Sequence, residues 1–150
     1  MGSNPTLSAS VAEVQSCAGI AMNGFVLVFL GGGFGSAARH GINLLSARLV
    51  GVSYPWGTFC INVLGSLAIG LITEWLALRT QLPPNLRLFL VTGVLGGFTT
   101  FSAFALEVGL LHERGATGAA VVYAVSSVVC AVGAMFIGMY LVRHIVSGGA

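Results

Sequence analysis

The sequence contains no lysine and no aspartate, and six arginines and four glutamates supply its charge. Charged residues make up 7% of the chain, whereas 56% of its residues are apolar and the mean hydropathy is +0.96. So few, scattered charges exclude a nucleic-acid interface and the charged surface of a soluble domain. Three cysteines without a CxxC spacing support neither a disulfide framework nor a metal site. The composition is therefore that of a membrane protein.

Long apolar runs fill most of the 150 residues, and a helix needs about 20 apolar residues to cross a bilayer. We predict an all-α membrane protein with four spanning helices, at residues 24–49, 55–77, 87–111 and 115–142. The short loops between them make neighbouring helices antiparallel. Four helices enclose little space, so a pore or pocket requires a second subunit.

Residues 1–22 lack the basic start that a secretory signal peptide needs, and we predict that they form a disordered extension. The transmembrane domain then covers residues 23–145, and residues 146–150 form a C-terminal tail. This division assigns all candidate functional residues to the transmembrane domain.

The arginines are almost evenly divided between the two membrane faces. Arg79, Arg87 and Arg143 would share one side with the N-terminus, and Arg48 and Arg114 would lie on the other. Because arginine and lysine in short loops set the orientation, three against two is almost no bias. The chain either inserts in both orientations or takes one of them through a feature that the charges do not show.

Helix one contains a cluster of small residues, GGGFGSAAR, from Gly31 to Arg39. Its Gly33-x-Gly35-x-x-Ala38 pattern imitates a dinucleotide-binding fingerprint, which requires a preceding strand and an acidic residue about 20 positions later. Here the segment lies in a hydrophobic helix, and the chain has no aspartate. We interpret the cluster as a surface for close helix packing.

Arg39 ends this cluster inside the predicted helix, where a guanidinium in lipid costs at least about 2.5–3.5 kcal/mol. It either snorkels to the membrane interface or faces a wet vestibule, in which it raises the local anion concentration. Both interpretations favour anions over cations nearby.

Helix two carries a polar stripe, because Thr58, Asn62 and Ser66 recur every four residues and share one face. The carboxamide of Asn62 is costly in lipid unless it is hydrogen-bonded. Asn62 either bridges neighbouring helices or offers an N–H donor to a passing anion. A stripe of three polar residues favours a lined path over a single bridge.

Helix three contains the segment GVLGGFTTFSAF, from Gly93 to Phe104. Clustered glycines and paired threonines are unusual there, because backbone groups freed from a helix find no water in lipid. We predict that helix three is broken at the membrane midplane. Phe101 and Phe104 follow three residues apart, and their electropositive ring edges can stabilise an anion weakly enough for conduction.

Tyr123 and Ser127 share a face of helix four, and with the stripe of helix two they can form a track of hydroxyl and amide donors. Nothing resembles a catalytic pair, so we expect no enzymatic activity. Without a carboxylate at the centre of a helix, proton coupling is disfavoured. The ionisable residues near predicted helix ends are interpreted as solvated: Glu74, Glu107, Glu113, His112 and His144.

In this order, the motifs GGGFGSAAR, GTFCINVLGS and GVLGGFTTFSAF resemble those of the Fluc (CrcB) family of fluoride channels, and the likeness runs over all four helices. The resemblance implies a four-helix subunit that assembles as an antiparallel, dual-topology homodimer with two pores. This expectation agrees with the nearly balanced arginine count.

The resemblance also implies roles for individual residues. The backbone around Gly96 and Thr99 is similar to the family's central site, where carbonyls of both subunits hold one structural Na⁺. Phe101 and Phe104 match the phenylalanines that line the pores, and Asn62 matches the pore asparagine.

Tyr123 and Ser127 fall where the family keeps its hydroxyl track, and Thr58 joins the fluoride pore as part of the helix-two stripe. Arg39 matches the helix-one arginine, as a vestibule or structural residue. One departure is visible, because the usual FSTF has Ala103 in place of its threonine. This loss removes a secondary hydroxyl contact and leaves the aromatic pair intact.

We therefore expect a passive, fluoride-selective channel, multi-pass in the bacterial cytoplasmic membrane, that exports cytosolic fluoride and confers fluoride resistance. Its expected partners are fluoride, lipid and a second copy of itself. The rival is a small dual-topology exporter that couples drug or metabolite efflux to protons; it needs a membrane-embedded carboxylate, usually in helix one, where this chain has Arg39. A third interpretation is a non-transporting assembly protein whose polar stripes face only other helices.

Overall fold

The computed structural model describes the backbone of residues 5–78 and 83–147, and the side chains of residues 23–78 and 83–146. All regular secondary structure in these ranges is helical. The prediction of an all-helical protein with four helices able to span a membrane is confirmed. The four spans are Asn23–Val50, Trp56–Leu78, Pro84–Glu113 and Thr117–Val146.

The spans are built from helices of unequal length. The first two and the last are each a single helix, whereas the third span is a composite of four short elements. Within the described ranges the elements are α1 (Pro5–Val50), α2 (Trp56–Leu78), α3 (Pro84–Arg87), a π-helix (Leu88–Leu95), α4 (Gly96–Phe98), α5 (Phe101–Glu113) and α6 (Thr117–Ser147).

The first and last helices extend beyond the bounds that the sequence analysis gave to the transmembrane domain. The backbone of α1 is helical from Pro5, where the sequence analysis expected a disordered extension through residue 22. At the other end, α6 continues into the predicted tail as far as Ser147. Residues 1–4, 79–82 and 148–150 lie outside the described residues, and with them Arg79 and its predicted place in a loop.

The third span changes conformation at two threonines. The π-helix and α4 end at Phe98, and Thr99 and Thr100 are extended, with ψ angles of 157° and 121°. The helix resumes at Phe101, where the Oγ1 of Thr100 caps α5 by accepting the N–H of Ala103 at 3.2 Å. The two halves of this span are therefore separate helices.

The glycine cluster of α1 lies against the first half of the third span. A Cβ atom on Gly31 would clash with the backbone of Gly93, and one on Gly35 would clash with the carbonyl oxygen of Val94. Both glycines are buried, so the backbones approach more closely than larger residues permit. The predicted packing role of this cluster is confirmed.

The other half of the subunit is formed by α2, α5 and α6. The most extensive packing joins α2 to α6, and α5 also lies along α6. Between α5 and α6 a small core contains Leu111, Ala120 and the fully buried Tyr123, and Phe104 packs against it. This arrangement brings the polar residues of α2 and α6 next to the phenylalanines of α5.

The interpretation of Glu74 and Glu107 as solvated helix-end residues is wrong. Glu74 is 7% exposed, and its two oxygens accept hydrogen bonds from Arg143 at 2.7 and 3.2 Å. Glu107 lies in the middle of α5, because this helix starts afresh at Phe101 and continues beyond the predicted end at residue 111. Hydrogen bonds to distant partners, which the sequence does not display, offset the cost of withdrawing both carboxylates from water. The other three ionisable residues lie near helix ends and are exposed, as expected: Glu113, His112 and His144.

Candidate ion path

A groove runs along one side of the subunit between α2, α5 and α6, and "the groove" refers to this feature throughout. Four of the predicted fluoride-pore residues line it: Asn62, Phe101, Phe104 and Ser127. Ser66, Thr99 and Thr100 also line it, and the rest of its described wall is aliphatic. None of these lining residues carries a charge, so any ion in the groove meets only dipoles, hydroxyls and ring edges.

The phenylalanines form the aromatic wall of the groove. The ring centroids of Phe101 and Phe104 lie 5.5 Å apart, with their planes inclined at 45°. Phe101 is 78% exposed, whereas Phe104 is partly buried and its ring centroid lies 5.5 Å from that of Tyr123. The two rings therefore present edges at different depths of the same groove.

Asn62 connects α2 to the break in the third span. Its Oδ1 accepts the N–H of Thr100 at 2.9 Å, and its Nδ2 donates to the carbonyl oxygen of Thr100 at 3.0 Å. Both backbone groups of Thr100, which the break removes from the helical ladder, are thereby satisfied. A carboxamide has two N–H groups, so Asn62 bridges the helices and retains one further donor at the groove.

Ser127 provides a buried hydroxyl on the opposite wall. Its side chain is 4% exposed, and its Oγ makes no hydrogen bond of standard geometry to a described residue, although it lies close enough to the Tyr123 hydroxyl to affect the pKa of that group. Leaving a buried hydroxyl unpaired costs about 1–3 kcal/mol, so such a group needs an explanation. Because Ser127 lines the groove, a ligand or water in the groove can accept a hydrogen bond from its hydroxyl.

The break also releases carbonyl oxygens of the third span. In a continuous helix the N–H groups of Thr100 and Ala103 would bond to the carbonyls of Gly96 and Thr99. Here they donate instead to Asn62 Oδ1 and to Thr100 Oγ1. Gly96 and Thr99, which the sequence analysis assigned to a cation site, are thus among the residues whose carbonyls lose helical donors at the break.

A second hollow, which we call the cavity, lies one helical turn beyond Phe104 in the direction of the α5–α6 turn. Glu107 and Thr58 line it, together with Asn43, Tyr54 and Arg114. Thr58 Oγ1 donates to Glu107 Oε1 at 2.7 Å, and the Tyr123 hydroxyl donates to Glu107 Oε2 at 2.6 Å. The predicted pore residues Thr58 and Tyr123 therefore meet at a carboxylate and do not line the groove.

Arg39 lies apart from both hollows. It is partly buried, and its Nη2 is 3.4 Å from Ser36 Oγ, which in turn donates to the Gly97 carbonyl at 3.4 Å. Arg39 thus belongs to the contact between α1 and α4, close to the break.

Sequence reasoning missed Glu107 and the part played by Thr100. The spacing held a signal for Glu107, because it follows Phe104 by three residues and so shares its face of α5. Its hydrogen bonds to Thr58 and Tyr123 depend on three helices, and no local pattern predicts them.

Comparison with known proteins identifies the family of this chain. Residues 26–139 match the model of the family described as CrcB-like protein, Camphor Resistance (CrcB). The chain is 53% identical to fluoride-specific ion channel FluC 2 of Nitrobacter hamburgensis, over 81% of this chain and 98% of that protein. It is 55% identical to the fluoride-specific ion channel FluC of Rhodopseudomonas palustris (strain ATCC BAA-98 / CGA009), over 79% and 96% of the two chains.

A third relative, the fluoride-specific ion channel FluC of Granulibacter bethesdensis, is 50% identical over 85% of this chain and all of its own length. The family predicted from the three motifs is therefore confirmed. Because the family model and these relatives cover most of the sequence, this chain belongs to the CrcB family.

Proposed function

We propose that this protein is a passive, fluoride-selective channel that exports cytosolic fluoride. It is a multi-pass protein of the bacterial cytoplasmic membrane, with four spanning helices. The observation that carries the proposal is the unpaired hydroxyl of Ser127, which lies buried in an uncharged groove beside two phenylalanines. Such a donor suits a small anion that has shed part of its water.

Conduction through the groove rests on weak, closely spaced sites. The free N–H of Asn62 and the hydroxyl of Ser127 replace water molecules around fluoride, and the edges of Phe101 and Phe104 add weak positive potential. A fixed cation here would hold the ion too tightly to release it, whereas conduction needs sites that are favourable and easily left. Chloride is larger and accepts weaker hydrogen bonds, so it recovers less of its hydration energy.

The path continues past Phe104 to the cavity. Thr58 and Tyr123 take part through their hydroxyls, which Glu107 orients at the boundary between the two hollows. Glu107 follows Phe104 by about one helical turn, so an ion that leaves the aromatic wall meets this cluster next. In this arrangement the helix-two stripe serves both hollows, with Asn62 in the groove and Thr58 at the cavity.

The working unit is an antiparallel homodimer in which each subunit inserts in either orientation. The groove is open on one side, and Phe101 on its rim is 78% exposed, as a surface awaiting a second subunit would be. A second copy closes the groove and creates two equivalent pores.

A structural Na⁺ at the dimer centre fits the donor set at the break. The carbonyls of Gly96 and Thr99 are neutral oxygen donors freed from the helix, and hard cations prefer such ligands. When bound, Na⁺ supplies a positive charge that ties the two copies together. Dimers in Na⁺ should melt at a higher temperature than dimers in N-methylglucamine, and equal melting temperatures would contradict this site.

The rival proton-coupled exporter needs a membrane carboxylate that is free to load and release protons. The carboxylates found inside the spans, Glu74 and Glu107, each hold hydrogen bonds to other residues at both oxygens. A channel needs no such exchange, so its flux persists without a pH gradient.

The test is fluoride efflux from liposomes that contain the purified protein, read with a fluoride electrode and repeated with chloride. We expect rapid fluoride efflux, little chloride efflux and no requirement for a pH gradient. Efflux only under a pH gradient would support the exporter, and no fluoride efflux from correctly assembled dimers would contradict the channel.

A further inference from the structure

The cavity contains two side chains of opposite charge. Glu107 lies at its inner end beside the buried Thr58, and Arg114 lies at its outer end in the α5–α6 turn. Arg114 is exposed and is the only cation among the residues that line the cavity. The ion pair within the described residues joins Arg143 to Glu74, so no described carboxylate lies within 4 Å of the Arg114 guanidinium.

The turn that carries Arg114 is fixed by hydrogen bonds. The Arg114 N–H donates to the Leu110 carbonyl at 3.2 Å, and the Ala116 N–H donates to the Leu111 carbonyl at 3.0 Å. Gly115 completes the turn with a φ of 78°, a backbone angle that residues other than glycine rarely adopt. Arg114 is therefore attached to a rigid rim, and its flexible part is the side chain over the cavity.

Glu107 presents an electrostatic problem for an anion at this point of the path. Both of its oxygens accept hydrogen bonds, but the donors are neutral hydroxyls that do not cancel its charge. A carboxylate in a hollow with apolar walls repels fluoride over several ångströms, because such walls focus the field. A cation lining the same hollow offsets this repulsion.

We infer that Arg114 is the counter-charge of the cavity: it offsets the field of Glu107 and raises the local concentration of fluoride at this end of the path. The inference rests on the proposed function and adds a residue that acts on the supply of ions and not on their passage through the groove. Because it acts through a long-range field, its contribution depends on ionic strength.

The test compares fluoride efflux from liposomes of the wild type, Arg114→Gln and Arg114→Lys. Arg48→Gln is the matched control, because Arg48 is exposed, lies on the same membrane face and does not line the cavity. Fluoride is held constant, and a non-permeating salt sets the ionic strength at about 0.01 M or about 1 M, where the Debye length is about 30 Å or about 3 Å.

At low ionic strength we expect Arg114→Gln to lower the flux by about 3- to 10-fold, and at high ionic strength to match the wild type. Arg114→Lys should resemble the wild type under both conditions, and Arg48→Gln should lower the flux less than Arg114→Gln does at low ionic strength, because Arg48 does not line the cavity. A loss in Arg114→Gln that is equal at both ionic strengths, or a loss of the same size in Arg48→Gln, would overturn the inference. A wild type that does not conduct fluoride would contradict the proposed function instead.

Discussion

The groove and the cavity adjoin the same turn of α5 but differ in the charge of the side chains that line them. The groove has no charged lining residue, and its polar groups are an amide, several hydroxyls and ring edges. The cavity holds a carboxylate whose two oxygens are occupied by Thr58 and Tyr123. In the proposed channel the selective contacts are therefore neutral, and formal charges act at the end of the path.

The largest expected effect comes from the aromatic wall. Phe101→Ile and Phe104→Ile keep apolar volume but remove the electropositive ring edges, and we expect each to lower fluoride flux by roughly 10- to 100-fold. Dimer assembly, followed by size-exclusion chromatography, should persist. Normal conduction in both variants would show that the groove works without its rings.

The second-largest effect on flux is expected at Glu107, and it tests whether the cavity belongs to the ion path together with the groove. Glu107→Gln keeps the size of the side chain but deprives Thr58 or Tyr123 of a charged acceptor, so the hydroxyls at the boundary reorient. We expect a net fall of about 10-fold in fluoride efflux, because the loss of oriented hydroxyls outweighs the removal of the repulsion between the carboxylate and fluoride. Unchanged efflux would place the path within the groove alone.

Asn62 tests whether one side chain serves both structure and conduction. Asn62→Ala removes the partners of both backbone groups of Thr100, each of which costs about 1–3 kcal/mol when buried and unpaired. We expect several-fold lower flux together with a lower melting temperature. A lower melting temperature with unchanged flux per dimer would reduce Asn62 to a bridge between helices.

The smallest effect on flux is expected far from both hollows, at the ion pair of Glu74 and Arg143. Glu74 is 7% exposed, whereas the side chain of Arg143 is 59% exposed. Arg143→Ala therefore leaves a buried carboxylate without its partner, whereas Glu74→Ala leaves a cation that reaches water. We expect Arg143→Ala to lower the melting temperature more than Glu74→Ala does, with little change in flux for either variant. Thermal melting of both variants measures this asymmetry, and equal losses would contradict it.

Periodicity and composition were enough to predict four spans, because each is long, apolar and nearly free of charge. Local spacing also predicted the contact surface at Gly31 and Gly35 and the shared groove of Asn62, Phe104 and Ser127. What sequence could not supply were contacts between distant residues. Thr58 and Glu107 lie 49 positions apart, and Glu74 and Arg143 lie 69 apart.

The start of α1 illustrates the opposite difficulty. Residues 5–22 contain helix-forming residues, but they lack the basic start of a signal peptide, and the sequence analysis expected a disordered extension there. Hydropathy indicates whether a segment prefers water or lipid. It does not indicate whether the backbone of that segment is helical. The predicted span and the described helix therefore begin at different residues.

The most direct test of the account uses two adjacent serines of α6. Ser127 Oγ is unpaired in the groove, whereas Ser126 Oγ donates to the Tyr123 carbonyl at 3.3 Å and does not line the groove. Fluoride efflux should fall several-fold in Ser127→Ala and stay at the wild-type rate in Ser126→Ala. Equal rates in all three proteins would contradict the claim that fluoride passes through the groove.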